Sequence, residues 1–221
     1  MIIDCIADLH GHFPKLKGGD LLIIAGDLTA SDDPLQFIRF LNWLDKQKYK
    51  KKIFIAGNHD MTLEKNGCPT NTLPPNTEYL CDSGTEYEGL KIWGSPWTPT
   101  FTGVNPRCTA FMKHDDALFD EWQKIPMKTD ILITHGPAYS ILDGVPTEYD
   151  GTLYHTGSHS LYGYLNYVER PQYHIFGHIH EAHGQEEYFC AYNNKMMRSI
   201  NCSFVNGKYA PVNRAIRIVH G

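Results

Sequence analysis

Five short apolar runs in this chain each stop at a cluster of Asp, Asn and His. They are IIDCIA before Asp8-Leu9-His10, LLIIA before Gly26-Asp27, KIFIA before Gly57-Asn58-His59-Asp60, DILIT before His135-Gly136, and YHIF before Gly177-His178-Ile179-His180. Each run has the length of a strand, is too short for a helix, and is rich in Ile and other β formers. Ligands of open α/β sheets bind beyond the carboxyl ends of the strands. The five endings can therefore converge on one site of Asp, Asn and His side chains, which suit hard metal cations.

At 221 residues, the chain is read as one domain spanning 1–221 with a substantial core. Apolar residues at 42% and charged residues at 20% place it among soluble globular proteins. A net charge of -5 and a pI near 6.2 argue against a surface that wraps long nucleic acid, which needs concentrated Lys and Arg. A small anionic substrate stays compatible if positive charge is supplied locally. The six cysteines form no C-x-x-C pair, so reduced thiols in a cytoplasmic protein are expected. Asp4 and Asp8 interrupt the first apolar run, so neither a signal peptide nor a membrane anchor is expected, and no stretch is long enough to span a bilayer.

Asp33-Pro34-Leu35-Gln36 predicts a helix start: an N-cap, proline at the first helical position and Gln at the capping-box position. Phe37, Ile38, Leu41 and Leu44 then give the buried stripe. The Lys-rich stretch after it, Lys46, Lys48, Lys50, Lys51 and Lys52, reads as a helix-end charge and a solvated strand start. From 66 to 108, Pro69, Pro74, Pro75, Pro96, Pro99 and Pro106 predict irregular connections that wall a substrate pocket. Within that region EYLCDSGTEYEGLKIWG predicts short strands broken by turns at Ser83-Gly84 and Glu88-Gly89. Helices are expected at 115–124 and 157–168, turns at Asn193-Asn194 and Asn206-Gly207, and a last strand at 216–219.

In Asp8-x-His10 and His178-x-His180 the polar groups stand two residues apart, and positions i and i+2 of an extended segment face the same way. Gly26, Gly57, Gly136 and Gly177 beside them permit tight turns and close approach. Two cations roughly 3.5 to 4 Å apart are the usual arrangement for phosphate-ester hydrolysis. Such a pair needs a shared ligand, and Asp27 is the natural bridge. Against Asp8 and Asp27, two divalent ions leave a formal charge of about +2, or about +1 with a bridging hydroxide, enough to attract a phosphate. The site would then make its own hydroxide nucleophile, and His59 would protonate the leaving group.

With these residues in place, the chain resembles the calcineurin-like metallophosphoesterase superfamily, whose motifs D-x-H, G-D, G-N-H-D/E, H and G-H-x-H are all present in that order from Asp8 to His180. GSPWTP at 94–99, THGPA at 134–138 and FGHIHEAHG at 176–184 look more particularly like the metallophosphoesterase-domain-containing (MPPED) branch, related to cyclic nucleotide phosphodiesterases. The resemblance implies an α/β, four-layer fold, two packed mixed β-sheets flanked by helices. It implies that Asp8, His10, Asp27 and His180 hold one metal and Asp27, Asn58, His135 and His178 the other, with His59 catalytic or touching phosphate. Asp27, Asn58 and His59 form the expected catalytic set. The cofactors implied are two divalent ions, Mn2+ first and Fe2+, Zn2+ or Mg2+ as alternatives. The partner implied is a small phosphate ester such as a cyclic nucleotide, with monoesterase, nuclease or non-catalytic scaffold as the competing readings.

Departures narrow the subfamily. Leu28-Thr29-Ala30-Ser31 follows Asp27, so the phosphate-binding arginine of Ser/Thr protein phosphatases is missing, and Ala30 stands where purple acid phosphatases carry an iron-binding tyrosine. HIHEAH imitates a metallo-β-lactamase motif, but Ala182 occupies its aspartate position. His12, His114, His155, His159, His174 and His220 lack comparable context and are read as surface or supporting residues. Trp97, Phe101, Tyr139 and Tyr154 could stack on a base and Arg107 could touch a phosphate; core packing or surface filling is an equal reading for each. Glu181 could orient a ligating histidine.

Overall fold

The five runs are apolar on both faces, and that continuity decides the architecture. In the computed structural model, which describes residues 1–31, 33–101, 108–147, 149–167, 171–190 and 195–221, every run is a strand covered from two sides. In chain order the strands are β1 (Ile2–Ile6), β2 (Gly19–Ala25), β3 (Tyr49–Ile55), β4 (Thr77–Tyr79), β5 (Ser83–Tyr87), β6 (Leu90–Ser95), β7 (Thr98–Pro99), β8 (Met112–Lys113), β9 (Ile131–Thr134), β10 (Gly144–Pro146), β11 (Leu153–His155), β12 (Tyr173–Phe176), β13 (Gly184–Cys190), β14 (Lys195–Asn201) and β15 (Ile216–Val219). The helices are α1 (Pro34–Asp45), α2 (Met61–Asn66), α3 (Asp115–Trp122) and α4 (His159–Tyr167).

One sheet runs β15-β1-β2-β3-β4 and the other β13-β14-β12-β9-β6-β5. Both are mixed, with parallel interiors; β15 in the first sheet and both edge strands of the second pair antiparallel, while the β4 edge pairs parallel with β3. Strand side chains alternate between faces. Ile3, Cys5, Leu21, Ile23, Ile53 and Ile55 point inward and meet Ile131, Ile133, Ile175 and Ile200 of the other sheet. The alternate residues point outward: Leu22, Ile24 and Phe54 pack under Phe37, Phe40 and Leu44 of α1. Leu132, Phe176 and Met197 pack under Leu118 and Trp122 of α3 and Leu161 and Leu165 of α4. This burial on both faces gives the expected four layers, helix, sheet, sheet, helix.

Several local expectations are corrected. The α1 stripe is Phe37, Phe40, Trp43 and Leu44, while Ile38 is 52% exposed, because the face is set by the sheet contact and not by every apolar residue at helical spacing. Asp33 caps α1 by accepting from Leu35 N–H. Gln36 does not close a capping box on it, because its amide accepts from Ala30 N–H and donates to Ser31. Ser83-Gly84 lies inside β5, and the turn falls earlier, where Asp82 takes a φ of 44°. Lys50 and Lys51 pair with Asp20 and Glu78, but Lys52 is buried and donates to Leu44 O at the end of α1. α3 ends at Trp122 and α4 begins at His159; Val168 and Asn193-Asn194 lie outside the described residues.

The parallel interiors place the carboxyl ends of β1, β2 and β3 beside those of β9 and β12. Hydrogen bonds join the two sheets there, Ala7 N–H to Cys202 O at 2.9 Å and Phe204 N–H to Ala7 O at 2.8 Å.

Candidate metal centre

Asp8, His10, Asp27, Asn58, His59, His135, His178 and His180 all emerge from those strand ends and gather in one pocket. His10 Nε2 lies 3.2 Å from His180 Nε2 and 3.6 Å from Asp27 Oδ2, and His180 Nε2 lies 3.8 Å from Asp8 Oδ1. On the other side His135 Nε2 lies 2.9 Å from Asn58 Oδ1 and 3.4 Å from Asp27 Oδ1, and His178 Nδ1 lies 3.0 Å from Asn58 Oδ1. Asp27 thus turns one carboxylate oxygen to each group. Asp8, His10 and His180 have ligand atoms within 4.8 Å of one another, as do Asp8, Asp27 and His135.

The candidate ligands do not converge by the extended geometry their spacing predicts. Asp8, His10, Asp27 and His178 have φ of 53°, 42°, 51° and 70°, the left-handed region that non-glycine residues enter at a cost. Their side chains reach one point because each strand turns sharply at its end. Glycine is required where two loops touch: a Cβ on Gly57 would lie 2.3 Å from Asp27 Oδ1, and one on Gly177 would lie 2.3 Å from Asp8 Oδ2.

Hydrogen bonds aim the donor atoms. Asn58 Nδ2 donates to Cys108 O at 3.1 Å, which turns Oδ1 toward the histidines. His135 Nδ1–H donates to Ala25 O at 2.9 Å and presents Nε2 to the pocket. Asp8 accepts from His178 N–H and from Ser203 Oγ, and Asp27 Oδ1 accepts from His59 N–H at 2.8 Å. Asp60 ties the loops after β2 and β3 together, accepting from Leu28 N–H, Thr29 N–H, Thr29 Oγ1 and Gly57 N–H at 2.9 to 3.1 Å.

Asp8 and Asp27 are buried, and among the described residues every ion-pair partner of either carboxylate is a histidine. Buried carboxylates need compensating positive charge, and the surrounding set of imidazoles, carboxylates and an amide oxygen fits divalent cations. Burial pushes Asp8 up. Burial acts the same way on Asp27, but the charges of His135 and His59 outweigh it and hold that carboxyl well below the usual range. Burial opposes a charge on His135, yet the Asp27 carboxylate outweighs burial and raises the imidazole to about 9. His10 is pushed down to about 3, mainly by burial, and His178 is lowered by burial and then by the His135 charge.

A proton on His135 thus balances Asp27, and a cation held by His135 would have to displace it. Below about 9 that proton competes with metal, so apparent affinity should increase as pH rises. Calorimetric Mn2+ titrations in two buffers of different ionisation enthalpy should show proton release and an affinity gain approaching tenfold per pH unit between about pH 6 and 8. A flat affinity would contradict this electrostatic account.

A cleft of about 300 Å3 opens over the pocket, lined by Asp27, Asn58, His59, His178 and His180 and walled by Phe101, Val145, Ile179, Glu181 and Tyr209, among others. Of the Pro-rich stretch, Pro99, Thr100 and Phe101 reach this lining, whereas 77–79, 83–87 and 90–95 are strands of the two sheets. Trp97 is not in the described lining: its indole donates to Asp82 at 2.8 Å, packs on Phe111 and lies under Lys113. Tyr139 stacks on His159 and Tyr154 is 68% exposed on β11, and neither is in the described lining. Arg107 lies outside the described residues. Glu181 faces Gly207, where an added Cβ would lie 2.0 Å from its Oε1. The sequence reading placed Asp60 in its motif without a role and missed Ser203 and Tyr209; the Asn206-Gly207 turn was the local signal for the last.

A family model described as calcineurin-like phosphoesterase matches residues 1–182. Metallophosphoesterase domain-containing protein 1 of Homo sapiens is 34% identical over 242 residues, covering 97% of this chain and 69% of that protein. Probable rhamnogalacturonate lyase C of Emericella nidulans is 36% identical over 202 residues, 82% of this chain but 17% of the longer protein. The solved structure of TT1561 of Thermus thermophilus superposes with a TM-score of 0.57 at 12% identity, over 90% of this chain and 88% of its own, a likeness of fold.

Proposed function

The chain belongs to the calcineurin-like phosphoesterase family, and from that membership we propose that it is a dinuclear metal-dependent phosphodiesterase acting on small esters such as cyclic nucleotides. The observation that carries the reading is Asp27, with Oδ2 toward His10 and Oδ1 toward His135. Asp8, His10, Asp27 and His180 would hold one cation, and Asp27, Asn58, His135 and His178 the other. When bound, such cations supply Lewis acidity toward phosphoryl oxygens and make water acidic enough to serve as nucleophile near neutral pH. The oxygen- and nitrogen-rich donor set, without thiolate, suits Mn2+, and metal reconstitution would rank it against Fe2+, Zn2+ and Mg2+.

His59 Nδ1–H donates to Ala30 O at 3.1 Å, which leaves Nε2 beside Asp27 in the cleft. Nε2 is the atom from which a proton would pass to the departing alkoxide. Asp27 accepts the His59 amide and so fixes this histidine's loop, and Asp27 and Asn58 would hold the cations beside it.

Charge favours a diester. Two divalent ions against Asp8 and Asp27 leave a formal charge of about +2, and Glu181 is the one further carboxylate in the described lining, which contains no Lys or Arg. A singly charged diester suits that balance better than a dianionic monoester or a nucleic-acid backbone. We also read residues 1–221 as one domain, because β15 pairs with β1 and β14 sits inside the second sheet. The described cysteines 5, 68, 81, 108 and 202 are free thiols, which supports a cytoplasmic location. Among the described residues no helix is long and apolar enough to cross a membrane.

With Mn2+ loaded, bis(p-nitrophenyl) phosphate and cyclic nucleotides should be hydrolysed faster than p-nitrophenyl phosphate. His59→Ala should lower kcat roughly 100-fold or more, with the larger loss on the poorer leaving groups. His59 and Asn58 variants that match the wild type on every ester would sink the enzymatic reading.

A further inference from the structure

Tyr209 lies beyond the 182 residues that the family model matches, yet its ring stands against the pocket. Its centroid is 4.8 Å from that of His10, 5.1 Å from His180 and 6.0 Å from His59. The residue is 40% exposed and lines the cleft. Its backbone is held at a φ of 59°, a conformation that a bulky residue enters only when its surroundings impose it. Asn206 imposes it here: Asn206 Oδ1 accepts from Lys208 N–H and Ala210 N–H, its carbonyl accepts from Tyr209 N–H, and its own N–H donates to Ala210 O. The result is a rigid turn that presents an aromatic ring beside His59.

Position assigns the ring a task. The group that leaves phosphorus must sit next to the proton donor, and the aromatic side chain nearest His59 in the cleft lining is Tyr209. The described lining has no Lys or Arg with which to grip a charged leaving group. Aromatic side chains hold flat organic groups by stacking and by area, with little regard for their hydrogen-bonding pattern.

We propose that Tyr209 is the specificity-determining wall for the leaving group and selects phosphodiesters whose departing alcohol is, or carries, a flat aromatic or heteroaromatic group. The proposal rests on the phosphodiesterase reading and goes beyond it by naming the residue and the chemistry it recognises.

The test compares two diesters that share a methyl ester and have leaving groups of similar acidity, methyl 4-chlorophenyl phosphate and methyl hexafluoroisopropyl phosphate. In the Mn2+-loaded protein, Tyr209→Ala should lower kcat/KM on the aryl ester roughly tenfold, leave the fluoroalkyl ester within about twofold, and bind the same number of cations as the wild type. Tyr209→Phe should restore the aryl preference. An unchanged ratio in Tyr209→Ala, or an equal loss on both esters, overturns the role of Tyr209 while the phosphodiesterase reading stands. No turnover of either ester by the wild type overturns that reading and this inference with it.

Discussion

Replacing Asp27 with alanine is expected to leave a folded protein that binds at most one divalent cation and hydrolyses diesters at least about 1000-fold more slowly, roughly 4 kcal/mol of lost transition-state stabilisation. The size of the effect follows from three roles in one carboxylate. Asp27 faces His10 with one oxygen and His135 with the other, and it accepts the His59 amide. Asp27→Asn separates these roles, because it preserves the shape but removes the charge that holds the His135 proton. Elemental analysis and steady-state kinetics on both variants would check this. Two retained cations, or activity within tenfold of the wild type, would refute a bridging Asp27.

Asp60→Ala should cost stability more than any other single truncation around the pocket. It strands the buried amides of Leu28, Thr29 and Gly57, while the Thr29 hydroxyl keeps the His59 carbonyl as an acceptor at 3.2 Å, and each buried unsatisfied donor costs about 1–3 kcal/mol. Burial and the Asp27 charge push the Asp60 carboxyl up to about 6, so at pH 7.5 it is an ionised acceptor for all four donors. We expect about 4 kcal/mol of lost unfolding free energy in urea melts of the metal-free protein at that pH. Metal affinity should fall as well, since the two loops would drift apart. A loss under about 1 kcal/mol would show that water replaces the carboxylate and that the loops hold themselves.

The clustering of the candidate ligands was legible in the sequence because strand ends are punctuated: each apolar run stops at residues that no sheet interior accepts. The two-sheet core came from the family resemblance, and the structure supplies its physical reason: runs apolar on both faces demand cover on both faces. The path to the site was not legible. Spacing gave Asp8 and His10 an extended geometry, whereas both sit at positive φ, a property that a single sequence does not print for Asp or His. Ile38 and Trp97 show the limit of composition: both are large and apolar, and only packing tells an exposed helix position and an indole tied to Asp82 from a buried stripe and a cleft wall. Ser203 was illegible, and Tyr209 was marked only by the Asn206-Gly207 turn, because both enter the site from the segment after β14, where Ala7 pairs with Ser203. That contact joins residues nearly 200 positions apart, and local pattern does not reach so far.

Activity measured against metal equivalents tests the dinuclear phosphodiesterase directly. Protein stripped by chelator and titrated with Mn2+ should remain inactive toward bis(p-nitrophenyl) phosphate through the first equivalent and gain activity in proportion to the second, ending at two ions per chain. Full activity at one equivalent, or none at any loading, would contradict the two-cation site built around Asp27.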